Sequence, residues 1–176
     1  MEQGILIVEN SSAFVSGNAI FQNIKANIAF GGKSAENTVI IGNMIFGSSS
    51  EGIFMMLAGR CIVYNNKIYE NYNGIVVMEA TPDISYNEIY GNKNNGILVL
   101  RGSELVMRFN SIHGNEGIGI LLREKSKGDI ERNDSVDNEL DLAIEYYGDW
   151  IEEMTKINKF GEGRVRIAKK EKCTLI

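Results

Sequence analysis

Polar and apolar positions along the chain do not follow the 3.6-residue period of an amphipathic helix; they return in blocks. Short apolar runs read Gly4-Ile-Leu-Ile7, Asn27-Ile-Ala-Phe30, Gly52-Ile-Phe-Met55, Gly74-Ile-Val-Val77, Gly96-Ile-Leu-Val99, Gly119-Ile-Leu-Leu122 and Leu142-Ala-Ile144. Between successive runs stands a second feature, Asn-x-Ile-aromatic. Its copies are Asn18-Ala-Ile20-Phe21, Asn43-Met-Ile45-Phe46, Asn66-Lys-Ile68-Tyr69, Asn87-Glu-Ile89-Tyr90, Asn110-Ser-Ile112-His113 and the degenerate Asn133-Asp-Ser135-Val136. Subtracting these anchor numbers gives intervals of 25, 23, 21, 23 and 23 residues. Five positions after each anchor comes another polar residue: Asn23, Ser48, Asn71, Asn92, Asn115 and Asn138. Two features in fixed phase mark a repeat protein.

The residues of the unit decide its structure. Units rich in β-branched residues and broken every few positions by Asn or Gly do not form helical hairpins. The Leu-x-x-Leu-x-Leu core of leucine-rich repeats is absent. A period of about 22 residues made of short strands and tight bends predicts an all-β chain, a parallel β-helix of about six rungs stacked about 4.8 Å apart. Ile20, Ile45, Ile68, Ile89 and Ile112 then face inward, with Val63, Ile84, Met107 and Ile130 as a second inward row. The Asn rows predict two bends with left-handed backbone at the asparagines and amides hydrogen-bonded along the rod as ladders. Gly52, Gly74, Gly96 and Gly119 are expected at a third corner where the chain reverses.

The runs Asn66-Lys-Ile68-Tyr-Glu-Asn71-Tyr-Asn-Gly74-Ile75 and Asn87-Glu-Ile89-Tyr-Gly-Asn92-Lys-Asn-Asn-Gly96-Ile97 resemble the right-handed parallel β-helix repeat of pectin-lyase-like proteins. In style they are similar to the carbohydrate-binding and sugar-hydrolase repeats of NosD-like and F-box β-helix proteins. The resemblance covers about residues 4 to 145. It implies the fold; because members include lyases, epimerases and protein-binding adaptors, it does not select a function.

Composition narrows the partners. With 18 Lys+Arg against 23 Asp+Glu the chain carries −5, which argues against a nucleic-acid partner. No apolar stretch nears the roughly 20 residues of a membrane span. Cys61 and Cys173 make no disulfide framework, and the start lacks the basic segment and long apolar core of a signal peptide, so an intracellular, cytoplasmic location is expected.

Three segments follow: a β-helix over 1–145, a helical cap over 146–160 and a basic tail over 161–176. Asp149 is the expected N-cap of the helix, with apolar residues at 150, 151, 154 and 157. No lid precedes Gly4, so the open first rung predicts an end-to-end homodimer or a longer rod. The closing Cys173-Thr-Leu-Ile176 fits a C-a-a-X box downstream of basic residues; we read it first as coincidence, and as a lipid anchor if Cys173 is prenylated.

Candidate chemistry is sparse. Phe21, Phe46, Tyr69, Tyr90 and His113 should form one outward row, either a strip for sugar rings or a partner protein, or a stack that stabilises the rungs. His113 is the single histidine and has no companion ligand for a metal; no cofactor is implied. The row Leu57, Glu79, Arg101, Glu124 reads as an exposed ladder of charges. Asp83 and Asp129 share a row two rungs apart with Val106 between them, about 9–10 Å, a spacing that suits an inverting carboxylate pair, although Asp is ordinary at such turns. The near-constant repeat leaves no insertions to wall a catalytic groove. The sequence therefore points to a non-catalytic recognition module for a protein or a polysaccharide, with a carbohydrate-active lyase, hydrolase or epimerase as the alternative.

Overall fold

The computed structural model describes residues 2–8, 11–32, 37–146 and 148–168. It is an all-β parallel solenoid of about seven turns. Each turn lays one strand into each of three parallel sheets. Sheet A has eight strands, from Ile5–Val8 to Val165–Ile167; sheet B has six, from Phe14–Ser16 to Lys127–Glu131; sheet C has seven, from Ala19–Phe21 to Lys159–Phe160.

The three-residue strands of sheets B and C each turn their middle residue inward. Ile20, Ile45, Ile68, Ile89 and Ile112 are buried from sheet C, and Val15, Ile40, Val63, Ile84, Met107 and Ile130 from sheet B. Sheet A adds two inward residues per strand, as with Ile53 and Met55 or Ile75 and Val77. The second to fifth turns therefore each close around four buried apolar side chains, stacked on their counterparts above and below, and the core is continuous along the rod.

Both amide ladders form, and they occupy two of the three corners. At the B–C corner Asn18, Asn43, Asn66, Asn87, Asn110 and Asn133 each donate through Nδ2 to the Oδ1 of the next, at 2.8–3.1 Å. The backbone departs from expectation in one respect. The left-handed residue is not the asparagine but the one before it: Gly42, Asn65, Tyr86, Phe109 and Arg132 at this corner, and Gln22, Gly47, Glu70, Gly91, Gly114 and Asp137 at the next. The preceding residue makes the turn, and the asparagine side chain is thereby swung into the rod.

The repeated glycines also differ from expectation. Gly52, Gly74, Gly96 and Gly119 are not among the residues with positive φ. A Cβ on Gly96 would lie 2.7 Å from the Gly119 carbonyl oxygen and 2.7 Å from Ile112 Cγ2, so these positions exclude side chains by close packing of coils. The A–B corner is turned by Leu57, Glu79, Arg101 and Glu124, all left-handed. Of their charges, Arg101 reaches Glu79 at 3.3 Å and donates its backbone N–H to Glu124 at 3.2 Å.

The end of the rod contains a turn the repeat pattern does not announce. Asn158 continues the first ladder, accepting from Asn133 Nδ2 at 2.9 Å, and Lys159–Phe160 and Val165–Ile167 extend sheets C and A. Part of the segment read as a basic tail is thus a strand. The helix, Ile151–Ile157, occupies the place of the next strand in sheet B and buries Ile151 and Met154. Its N-cap is Trp150 rather than Asp149, with no side-chain cap hydrogen bond. The expected lipidation position, Cys173, lies outside the described residues. Among the described residues no helix is long and apolar enough to cross a membrane.

Candidate functional site

The outward residues of sheet C bring the expected aromatic row together. Phe21, Phe46, Tyr69, Tyr90 and His113 stack in sequence, with ring centroids 4.9–5.3 Å apart and interplanar angles of 3–11°. That geometry assigns the ring faces to one another and turns the edges to solvent. Beside the column, Lys67 and Glu88 pair at 3.2 Å, which raises the Lys67 pKa, and His113 Nε2 stands 3.9 Å from Glu88. Burial, then the Glu88 charge, raises the Tyr90 phenol. A sugar stacks on a ring face, and along this column the inner faces are already in contact with the neighbouring rings. Tyr69→Ala with Tyr90→Ala removes three stacked contacts and should cost about 2–4 kcal/mol at about 0.5–1.5 kcal/mol per pair, read as a lowered urea midpoint. Unchanged stability would show that the rings act elsewhere.

A second column, Tyr64, Tyr86 and Phe109, runs along the B–C corner and is closed by Arg132 at 5.5 Å from the Phe109 centroid. It escapes a sequence reading because its members sit one or two residues before the anchors, out of phase with one another.

The outer face of sheet B changes character along the rod. One row runs Phe14, Val39, Ile62, Asp83, Val106, Asp129, and the other Ser16, Ile41, Tyr64, Ser85, Arg108, Glu131. Its first half is apolar and its second charged. The register puts Asp83 and Asp129 on either side of Val106. Both carboxylates are engaged: Ser85 Oγ donates to Asp83, and Arg108 pairs with Asp129 and, through Nε at 3.4 Å, with Glu131. Lys127 and Glu104 pair at 3.1 Å beside them. Beneath Asp83 the Cys61 thiol is buried and pushed up to about 12, first by burial and then by that carboxylate.

Trp150 turns this charged end into a recess. Two adjoining depressions of about 220 and 400 Å³ share Gly128, Asp129 and Trp150. The first is closed by Glu153, Met154 and Ile157 of the helix, and the second by Glu104, Val106 and Lys127. The sequence reading found Asp129 but treated Trp150 as an apolar residue of a lid, because the ring comes from the one element that does not repeat. Arg108, Lys127 and Glu131 carried no signal beyond exposed charge. Among the described residues no three His, Cys, Asp or Glu side chains converge as a metal site would require.

Residues 1–139 match the family described as the right-handed β-helix region. The chain belongs to that family. No curated protein matches the sequence. Among solved structures, two variants of the periplasmic alginate epimerase AlgG are similar to this β-helix, with TM-scores of 0.74 and 0.73, each 20% identical over 94% of this chain. The chain spans about half the length of those structures, 46%. The likeness is one of fold, a parallel β-helix over most of this chain.

Proposed function

We propose that this β-helix is a non-catalytic recognition module that binds a polysaccharide along the charged end of sheet B. The observation that carries the reading is the Trp150 recess: one half-buried indole beside Asp129, Glu131 and Lys127, with Arg108 paired to Asp129. An aromatic wall for the apolar face of a sugar and a few convergent polar groups for its hydroxyls are the usual makings of such a site. The engaged state of the carboxylates supports binding over turnover, because Asp129 is held in an ion pair with Arg108 and Asp83 accepts from Ser85. The fold of a carbohydrate-active epimerase is compatible support.

Trp150 is the only tryptophan, so its fluorescence reports the site directly. Titrating uronate, hexose and hexosamine oligosaccharides into the protein should shift Trp150 emission saturably for one class. Asp129→Asn should weaken that binding at least tenfold, while Tyr69→Ala with Tyr90→Ala leaves it unchanged. Silence across all three classes overturns the reading and turns attention to a protein partner.

The alternative, a carbohydrate-active enzyme, rests on the shared row of Asp83 and Asp129 and on the likeness to an epimerase. Conversion of the bound oligosaccharide, lost in Asp83→Asn, would replace the first reading with the second.

A further inference from the structure

A different face carries a separate signal. A sheet with one solvated side alternates apolar and polar residues, yet the strands of sheet A are apolar at nearly every position. Its outer rows run Leu6, Ala29, Phe54, Val76, Leu98, Leu121, Ala143 and Val8, Gly31, Met56, Met78, Leu100. Sheets B and C show no such uniform face. Exposure is greatest in the first and third strands, at 55% for Leu6, 49% for Val8 and 37% for Met56, whereas Ala29, Val76, Leu121 and Ala143 are sunk between their neighbours. An apolar strip of this kind marks an interaction surface.

Its relief selects the occupant. In the second strand the outward residues are small, Ala29 and Gly31; in the third they are large, Phe54 and Met56. Ala29 and Phe54 line a depression of about 260 Å³, whose rim carries Lys25 on the second turn, paired with Glu2 of the same chain at 2.7 Å, and Glu51 on the third. A two-fold axis parallel to the strands, passing between these two, sets Phe54 and Met56 of each copy over Ala29 and Gly31 of the other. The same operation brings Lys25 of each copy across from Glu51 of its mate. Knobs meet holes in both rows and opposite charges meet at the rim, which is the self-complementarity of an isologous contact. Two sheets packed face to face lie about 10 Å apart, a distance these side chains fill.

We propose that the outer face of the first four strands of sheet A is a homodimer interface, with the two rods antiparallel and overlapping at their leading ends. Four strands spaced about 4.8 Å present a face about 19 Å long, which is at the small end of specific interfaces, so the dimer is weak and concentration-dependent. A lipid surface fits poorly, since the rim pairs acid with base on a chain of net charge −5.

Sedimentation velocity over a range of concentrations, in a Cys173→Ser background, tests the arrangement. The expected species is twice 19.6 kDa. Lys25→Glu or Glu51→Lys alone should raise the dissociation constant at least tenfold, and the two reversals combined should restore it. A monomer at all concentrations overturns the proposal. So does a dimer indifferent to both charge reversals, the result expected if the copies instead join end to end through Ile5–Val8.

Discussion

Replacing Asn92 by leucine should lower stability by about 3–6 kcal/mol, from several buried partners each left unmet at about 1–3 kcal/mol. Asn92 is fully buried. Its Oδ1 accepts from the Asn71 backbone N–H at 3.0 Å and from Asn71 Nδ2 at 3.2 Å, and its Nδ2 donates to Asn115 Oδ1 at 2.8 Å. Leucine fills the space and satisfies none of them. For a chain of this size the loss should lower Tm by about 10–20 °C. The same ladder contains its own control: where Ser48 is too short to span the gap, Asn27 steps in, accepting from Asn23 Nδ2 at 2.7 Å and donating to Asn71 Oδ1 at 3.0 Å. Asn27→Ala should therefore destabilise although it stands outside the repeated asparagine positions. A Tm within about 2 °C of the parent for Asn92→Leu would show that the ladder contributes little.

Gly74→Ala should cost about 2–3 kcal/mol, at the upper end for a single added methyl in a packed interior. The new Cβ would meet the Gly96 carbonyl oxygen at 2.5 Å and Ile89 Cγ2 at 2.8 Å. The first of these is backbone, which can yield only by separating two coils that are hydrogen-bonded on both sides. Gly91→Ala offers the contrast. Gly91 has φ 59° and open space around its missing Cβ, so its cost is conformational alone, about 1 kcal/mol. Urea unfolding of the two variants should separate close approach from backbone freedom, and equal losses would contradict the account given for Gly74.

The middle of the rod was legible because stacking forces each level to repeat the residue below it. Asn66, Ile68, Tyr69, Asn71 and Gly74 recur one turn on as Asn87, Ile89, Tyr90, Asn92 and Gly96, so spacing alone recovers the inward rows, the ladders and the outward aromatic column. The last turn was illegible for the same reason. Its anchor reads Asn158-Lys-Phe160-Gly161, with an aromatic in place of the inward Ile and glycine in place of the aromatic. In the sixth turn Leu142 pairs with Ile120, so it is Asp141 that stands where the other turns have glycine. Local backbone also lay beyond the pattern, since the residue that turns each corner varies freely among Gly, Glu, Tyr, Phe and Arg, whereas the residue it positions does not. The Trp150 recess joins a repeating sheet to a helix that occurs once, and no periodicity can report such a contact.

The two ladders share a direction. Every ladder Oδ1 points toward the preceding turn and one N–H of each Nδ2 toward the following one, while Nδ2 also donates to a backbone carbonyl of the turn before; it is the side-chain carbonyl dipoles that add along the axis instead of cancelling. Their positive end lies where the chain finishes its last turn, and negative groups receive both. The second ladder closes on the buried Asp141 carboxylate, which accepts from Asn138 Nδ2 at 3.0 Å; the first closes through Asn158 on the Met154 carbonyl at the end of the helix, at 2.7 Å. The rod is thus electrically polar, and its growth is vectorial. A turn added by duplication must enter before Asp141 and Met154, with its amides facing the same way, because beyond them the acceptors are already taken.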